Sequence, residues 1–318
     1  MDCSTIIVSY NTFDLTREAV ATALAAAGGL AHEVIVVDNN SPDDSAARLR
    51  AAFPEATHPT VHVVANAENA GFGKANNQGA ALARGNVLFF LNPDTVVHGQ
   101  AIGTLYAFLT AHPDAGAVGP RVFNPDGTDQ LSTSSFLTAR RILAHHLPVG
   151  SLLRGKDRRQ DAIPTTTQSV DIVKGCALAL RRAAFDAAGG WDESFFMYSE
   201  EAALCLALRE AGFTNYYVRE AEITHYGGVS TWDNYAEQQV VQQRSALQFL
   251  RRHHSAGLVA FYRITGVLGF GLRAALFPLL TRLRPHNASD YRRRGQAASA
   301  LFRWFLHPHS RNPSTSKN

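Results

Sequence analysis

Val34-Ile35-Val36-Val37-Asp38-Asn39-Asn40-Ser41 is the stretch on which the fold turns. Four consecutive β-branched apolar residues, bounded by polar ones, read as a strand buried on both faces. The run stops at an aspartate, and Ser41-Pro42-Asp43-Asp44 then supplies a helix start. Ile6-Ile7-Val8, Val61-His62-Val63-Val64 and Val87-Leu88-Phe89-Phe90-Leu91 repeat the pattern. Helical stretches are expected between and after them, over 15–27, 43–53, 74–84 and 101–111, with Gly28-Gly29 and Gly85 as stops. Strict alternation of strand and helix predicts βαβ units, hence an α/β fold with a mostly parallel sheet flanked by helices.

Ligands of such sheets bind beyond the carboxyl ends of the strands. Those ends read Ser9-Tyr10-Asn11, Asp38-Asn39-Asn40-Ser41, Asn66 to Asn69, and Asn92-Pro93-Asp94-Thr95. Helix and turn capping accounts for any one of them. Four in succession on one edge predict a polar ligand site. Gly71-Phe72-Gly73 is not a dinucleotide fingerprint, because Asn76 stands at the third glycine's place and no strand directly precedes it. A Walker A sequence is absent too, which argues against a Rossmann dehydrogenase or a P-loop NTPase.

Composition narrows the class further. With 318 residues, 46% hydrophobic and 18% charged, the chain can bury a substantial core, and disorder or a disulfide scaffold is excluded. Three scattered cysteines, Cys3, Cys176 and Cys205, form no zinc spacing. They fit a reducing cytosol, and no secretory signal is expected ahead of the first strand. The formal charge of +3 conceals an uneven distribution. Residues 251–318 carry twelve Lys and Arg against the single acid Asp290, leaving eighteen basic and twenty-six acidic residues in the first 250. An acidic body with a basic tail points that tail at anionic surfaces.

Beyond residue 121 the pattern loosens. Asn124-Pro125-Asp126-Gly127 predicts a turn, and Gly155-Lys156-Asp157-Arg158-Arg159 a charged connecting segment. Strands return at 170–173 and 177–181. Then comes Gly189-Gly190-Trp191-Asp192-Glu193-Ser194-Phe195-Phe196-Met197-Tyr198-Ser199-Glu200-Glu201, a helix to Arg209, a strand over 216–218 and Thr224-His225.

In that order, Val37 to Ser41, Asn69-Ala70-Gly71-Phe72 with Asn76 and Gly79, Leu91 to Thr95, Lys174-Gly175-Cys176, Gly190 to Glu201 and Ile223-Thr224-His225 resemble inverting family-2 glycosyltransferases. The branch they resemble contains rhamnosyltransferases of bacterial cell-wall and O-antigen assembly. The resemblance spans about residues 4 to 230. It implies a GT-A fold over 1–230, with a nucleotide-sugar half (1–120) and an acceptor half (121–230); the residues beyond it are expected to form a helical basic region (231–309) and a disordered end (310–318).

The resemblance implies a role for each matching residue. Asp38 would hold the nucleoside, with Ser9, Asn11, Asn69, Gly71, Asn76 and Asn92 around the donor. Asp94, last in the Asp-x-Asp-like Asn92-Pro93-Asp94, and His225 would bind a divalent cation, Mn²⁺ or Mg²⁺, for the leaving diphosphate. Glu201 would be the base for the acceptor hydroxyl, and Trp191, Asp192 and Glu200 would line the acceptor. The family pattern carries Glu-Asp, a second Asp two residues on and an Arg further along the helix. Glu200-Glu201, Ala203 and Ala207 stand here instead, which removes two polar partners. First-turn acids complementing a helix dipole, and aromatics of a packed core, are the structural readings of the same residues.

The implied reaction transfers a sugar, such as L-rhamnose, from a dTDP- or UDP-sugar to a saccharide or polyprenyl-linked acceptor. Two other readings remain: a nucleotidyltransferase of related fold, and a non-catalytic sugar-nucleotide-binding protein. Past residue 230 the residues alone speak. The apolar stretch 257–283 is interrupted by Arg263, Arg273 and Arg282 and contains Pro278, which argues against a spanning helix and for one lying in a membrane interface. Arg292-Arg293-Arg294 and Leu301 to Leu306 repeat the basic-apolar combination. The expectation is a cytoplasmic protein held peripherally on the inner face of the membrane. A helical lobe packed on the body or in a homo-oligomer is the other reading. No nucleic-acid motif accompanies the charge.

Overall fold

A computed structural model describes residues 1–147, 163–227 and 235–307. The segment 155–159, the close of the 224–230 stretch and the 310–318 end lie outside those residues. Every strand and helix expected in the first 111 residues forms, in the order β1 (Cys3–Ser9), α1 (Phe13–Ala25), β2 (His32–Asp38), α2 (Ser45–Ala52), β3 (Val61–Ala65), α3 (Phe72–Leu82), β4 (Val87–Leu91), β5 (Thr95–Val97) and α4 (Ala101–Ala111). β6 (Ala115–Phe123), β7 (Asp129–Gln130), β8 (Thr133–Ser134), α5 (Ala139–His146), β9 (Gln168–Ser169), β10 (Ile172–Val173), β11 (Ala177–Arg181), α6 (Arg182–Ala187), α7 (Glu200–Glu210) and β12 (Thr214–His225) follow.

Along the main sheet the strand order is β3-β2-β1-β4-β11-β6-β12-β5. Parallel pairing joins β3, β2, β1 and β4, and again β6 with β12. Only β11 and β5 run against the rest of that path. The β1, β2 and β4 side chains are buried throughout, as continuous apolar strands covered on both faces must be. This is the mostly parallel, helix-flanked α/β sheet expected from the sequence.

β6 was not expected, because Gly116, Gly119 and Pro120 are poor strand residues. The packing explains Gly119: a Cβ there would strike the Val173 side chain. The strand survives because it is flanked on both sides, by β11 and β12, so ladder hydrogen bonds replace what propensity lacks.

Of the described residues, 1–136 and 163–227 form one compact unit, and 137–147 with 235–307 form another. α5 therefore belongs with the C-terminal helices. The second unit adds α8 (Tyr235–His253), α9 (Ala256–Leu283), a 3-10 turn (Pro285–Asn287) and α10 (Ala288–Leu306). Its core holds Ile142, Leu247, Leu250, Tyr262, Phe270, Leu301, Trp304 and Phe305. Within it, the His146 imidazole meets the Thr265 hydroxyl at 2.8 Å, and Tyr262 donates to Gln243 Oε1 at 2.6 Å. Burial holds His146 down to about 3, with charge from His145 acting in the same direction, so the core stays uncharged there.

α9 runs unbroken through Pro278, and by length and composition alone it is apolar enough to cross a membrane, with mean hydropathy 1.6 over its best window. The sequence expectation weighed all three arginines together, whereas the most apolar 18 residues contain only Arg273. One face of α9 packs inward through Tyr262, Thr265, Gly266, Gly269 and Phe270. Arg273 also faces inward, donating to the carbonyls of His145 at 3.0 Å and His146 at 2.7 Å at the end of α5. It serves as a helix C-cap rather than a surface charge.

Candidate active site

Strand register assembles the site. Ser9 pairs with Asp38 and Asp38 with Ala65, so β1, β2 and β3 end level. Leu91 pairs with Ile7, and Asn92-Pro93-Asp94 emerges from β4 beside them. β11 runs antiparallel to β4, and the Asn92 amide donates to the Cys176 carbonyl at 2.9 Å. β12 runs antiparallel to β5 with His225 opposite Thr95, and the Tyr226 amide donates to the Asp94 carbonyl at 2.9 Å. Two residues 131 positions apart in the chain are thereby fixed together: His225 Nε2 lies 3.3 Å from Asp94 Oδ1. Asn92 Nδ2 stands 3.5 Å from the same nitrogen.

The second strand end forms a wall of its own. Buried Asp38 accepts the Ser41 amide at 3.0 Å and its hydroxyl at 2.6 Å. Ser41 Oγ accepts from the Asn11 amide at 2.8 Å, which joins the ends of β1 and β2. Asn39, also buried, donates to Asn69 Oδ1 at 2.8 Å and accepts from the Ala70 amide at 2.9 Å. Gly71 has φ +82, and a Cβ there would lie 3.0 Å from the Phe196 carbonyl oxygen and ring, so only glycine permits this approach. Asn11, Asn40, Tyr198 and Ser199 all have left-handed φ, between 55° and 71°, and all flank this edge. Backbone strain of this kind gathers at functional sites.

Glu200 and Glu201 open α7 after the left-handed Tyr198-Ser199 pair. Glu200 is buried, with Oε2 lacking a partner among the described residues. Burial, and secondarily the Glu201 charge, pushes its carboxyl well above the usual range. Glu201 keeps part of its surface exposed. Burial raises it too, while first-turn amides and Lys174 pull the other way. Burial pushes the Cys176 thiol up to about 12, with the charges of Lys174, Asp94 and Glu201 acting on it secondarily.

Three of the residues expected around the ligands are enclosed by their surroundings. The Ser9 hydroxyl is fully enclosed against Thr16 Oγ1 at 2.9 Å and Thr12 Oγ1 at 3.2 Å. Asn76 is buried and donates back to the Phe72 carbonyl at 3.0 Å inside α3. Trp191, 2% exposed, is packed edge-on against Phe72 and Phe90, with no ring face for a sugar. Phe195 is core as well, whereas Phe196 is 58% exposed beside Gly71. Asp192 is partly exposed and closes a turn through the Ser194 amide at 3.0 Å.

With this geometry in hand, comparison with known proteins is direct. The description "Glycosyl transferase family 2" matches residues 4–188, more than half of the chain. The chain belongs to glycosyl transferase family 2. An N-acetylglucosaminyl-diphospho-decaprenol L-rhamnosyltransferase of Mycobacterium tuberculosis is 28% identical over 241 residues, covering 70% of this chain and 75% of that protein. A low-salt glycan biosynthesis hexosyltransferase, Agl10, of Haloferax volcanii is 28% identical over 213 residues, covering 65% and 62%. Among solved structures, the mannosyltransferase PcManGT of Pyrobaculum calidifontis, in complex with GDP-Man and Mn²⁺, aligns with TM-score 0.60 at 16% identity. That alignment covers 97% of this chain and 88% of the other. The protein is a glycosyltransferase of GT-A fold.

The donor set of this glycosyltransferase suits a divalent cation. One carboxylate oxygen and one imidazole nitrogen face each other, a pairing that Mn²⁺ and Mg²⁺ both accept. Among the described residues no group of three or more His, Cys, Asp or Glu adds to it. Sequence reasoning missed Gln130, which meets His225 Nδ1 at 2.7 Å through Oε1. It lies on a two-residue strand with no local pattern, and only its place just past the Asn124 to Gly127 turn could have flagged it.

Proposed function

We propose that the protein is an inverting, cation-dependent glycosyltransferase that moves L-rhamnose from dTDP-rhamnose to a hydroxyl of a lipid-linked saccharide in cell-surface polysaccharide assembly. The observation that carries this reading is the Asp94–His225 pair at 3.3 Å. Asp38, Asn11, Asn69 and Gly71 shape the nucleoside side, and Asn92 joins Asp94 on the diphosphate side. Asp94 and His225 would hold the cation, Mn²⁺ or Mg²⁺, whose positive charge stabilises the departing diphosphate.

Glu201 takes the proton of the acceptor hydroxyl. The acceptor oxygen bonds to the anomeric carbon from the face opposite the diphosphate, whose oxygen leaves with the bonding pair, and the anomeric configuration inverts. Burial raises the Glu201 carboxyl, which strengthens it as a base, while first-turn amides and Lys174 act the other way. Burial raises Glu200 further and favours its neutral form, which can donate a hydrogen bond to an acceptor oxygen. Asp192 lies on the same acceptor-side loop. The name of the mycobacterial relative supports the rhamnosyl donor and the polyprenyl-linked acceptor.

A lipid-linked acceptor calls for the cytoplasmic membrane face, and the second unit supports that partner. Ile264, Leu268, Leu272, Leu276, Leu279 and Leu283 are each 39–67% exposed. Their spacing of three or four puts them on one stripe of α9, about 28 Å long. Arg251, Arg282, Arg284, Arg292 and Arg303 are exposed in the same unit. An apolar stripe with arginines around it fits an anionic lipid interface in which α9 lies flat, since its other face is already packed.

A thermal-shift panel of nucleotide sugars, each with Mn²⁺ and with chelator, tests the donor site. A ligand at ~100 times its dissociation constant adds about 2.7 kcal/mol, a shift of about 4 °C for a chain of this size. A cation-dependent shift with thymidine nucleotides alone is expected. No shift with any nucleotide sugar, or one insensitive to chelator, would overturn the reading.

A further inference from the structure

The hairpin after β6 holds a chain of side-chain hydrogen bonds that ends on His225. Asn124 Nδ2 donates to Thr128 Oγ1 at 3.0 Å and approaches the Asp129 carbonyl at 3.4 Å. Asn124 Oδ1 accepts from Gln130 Nε2 at 2.8 Å, and the same Nε2 donates to the His225 carbonyl at 3.2 Å. Gln130 Oε1 then faces His225 Nδ1 at 2.7 Å. Backbone carbonyls only accept, so the Gln130 amide has one orientation: a flip would set its oxygen against the His225 carbonyl. An acceptor fixed on Nδ1 demands a proton there, which leaves the lone pair of the neutral ring on Nε2, the nitrogen facing Asp94 at 3.3 Å.

We infer that Gln130, held by Asn124, is a positioning residue that keeps His225 in its Nδ1–H tautomer, so that Nε2 presents a lone pair toward Asp94 for the cation. Its role rests on the cation site proposed above. The competition is local and explicit. Without Gln130, the Asp94 carboxylate would draw the ring proton to Nε2, where it blocks the lone pair and stands in the cation's place. Gln130 Oε1 is 0.6 Å closer to the ring than Asp94 Oδ1 is, and it is aimed by two further bonds. Outer partners of this kind set both the tautomer and the direction of a ligating histidine, and their loss costs about 10–100-fold in metal affinity.

Two readouts on the full chain separate this inference from the cation reading. In metal-free protein at pH 8.5, histidine ring resonances are recorded by ¹⁵N–¹³C NMR, with His225 identified by its loss in His225→Ala. Wild type is expected to show the Nδ1–H pattern, Gln130→Leu the Nε2–H pattern, and Gln130→Glu, which keeps an acceptor, the Nδ1–H pattern again. Mn²⁺ binding in the presence of dTDP, followed by loss of the free-ion EPR signal, should weaken about 10–100-fold in Gln130→Leu and by only a few-fold in Gln130→Glu. An Nε2–H pattern in wild type, or unchanged Mn²⁺ affinity in Gln130→Leu while His225→Ala loses it, would overturn the inference and leave the cation site standing. Absence of Mn²⁺ binding by wild type, with the Nδ1–H pattern present, would overturn the cation reading and with it the role given to Gln130.

Discussion

Adjacent carboxyls at Glu200 and Glu201 differ in surroundings, and so they should differ in what a substitution does. Successive helical side chains point about 100° apart, so only one of the two can face a given acceptor atom. Glu201→Gln should lower kcat about 10²–10⁴-fold with donor affinity retained, measured by steady-state rates beside nucleotide binding. Glu200 carries a pH signature instead. Its folded carboxyl is raised by burial above the unfolded value, so its contribution to stability is complete below the ordinary glutamate range and is lost as pH rises through the folded value. The melting temperature of Glu200→Gln minus that of wild type should therefore increase from pH 4 toward alkaline pH; a constant difference would contradict the buried assignment. The placement of Asp38 and Asp94 at the strand ends was legible, because each follows directly on an apolar strand run. A motif does not say which way a side chain turns, and Ser9, Asn76 and Trp191 turn inward. In each of those cases a nearby hydroxyl, carbonyl or pair of rings had already claimed it.

At the level of elements, hydrophobic runs located β1 to β4 and the helices between them because period and punctuation coincide there. What escaped was long-range: β12 must pair with both β6 and β5 to deliver His225, and nothing local in Thr214 to His225 announces that register. β6 escaped for the opposite reason, since its glycines and proline hide a strand that neighbours hold in place. Gly119→Ala should cost about 1–3 kcal/mol of stability by overpacking against Val173, read from denaturant midpoints at unchanged m-value. A change within 0.5 kcal/mol would mean that β10 can retreat and that the contact is not a constraint.

The whole molecule combines an acidic catalytic body with a basic helical region, an asymmetry readable from charge counting alone. Which basic residues reach the surface was not readable, as Arg273 shows by capping α5 from inside the second unit. Nor did composition reveal that the α9 leucines share one exposed face. Leu268→Asp with Leu272→Asp should abolish co-sedimentation with phosphatidylglycerol-containing vesicles, while the exposed positions leave thermal stability nearly unchanged. Binding of wild type should weaken as salt rises from 0.05 to 0.5 M, as expected when arginines contribute. Vesicle binding that survives both substitutions would place the contact elsewhere.

Product analysis tests the central claim most directly. Wild type and Glu201→Gln would each be incubated with Mn²⁺, dTDP-L-rhamnose and a synthetic polyprenyl-diphospho-saccharide, and the lipid products resolved by mass spectrometry and NMR. The account predicts one added rhamnose with inverted anomeric configuration in wild type, and its loss with Glu201→Gln or with chelator. A retained configuration, or product formed equally well by Glu201→Gln, would contradict it.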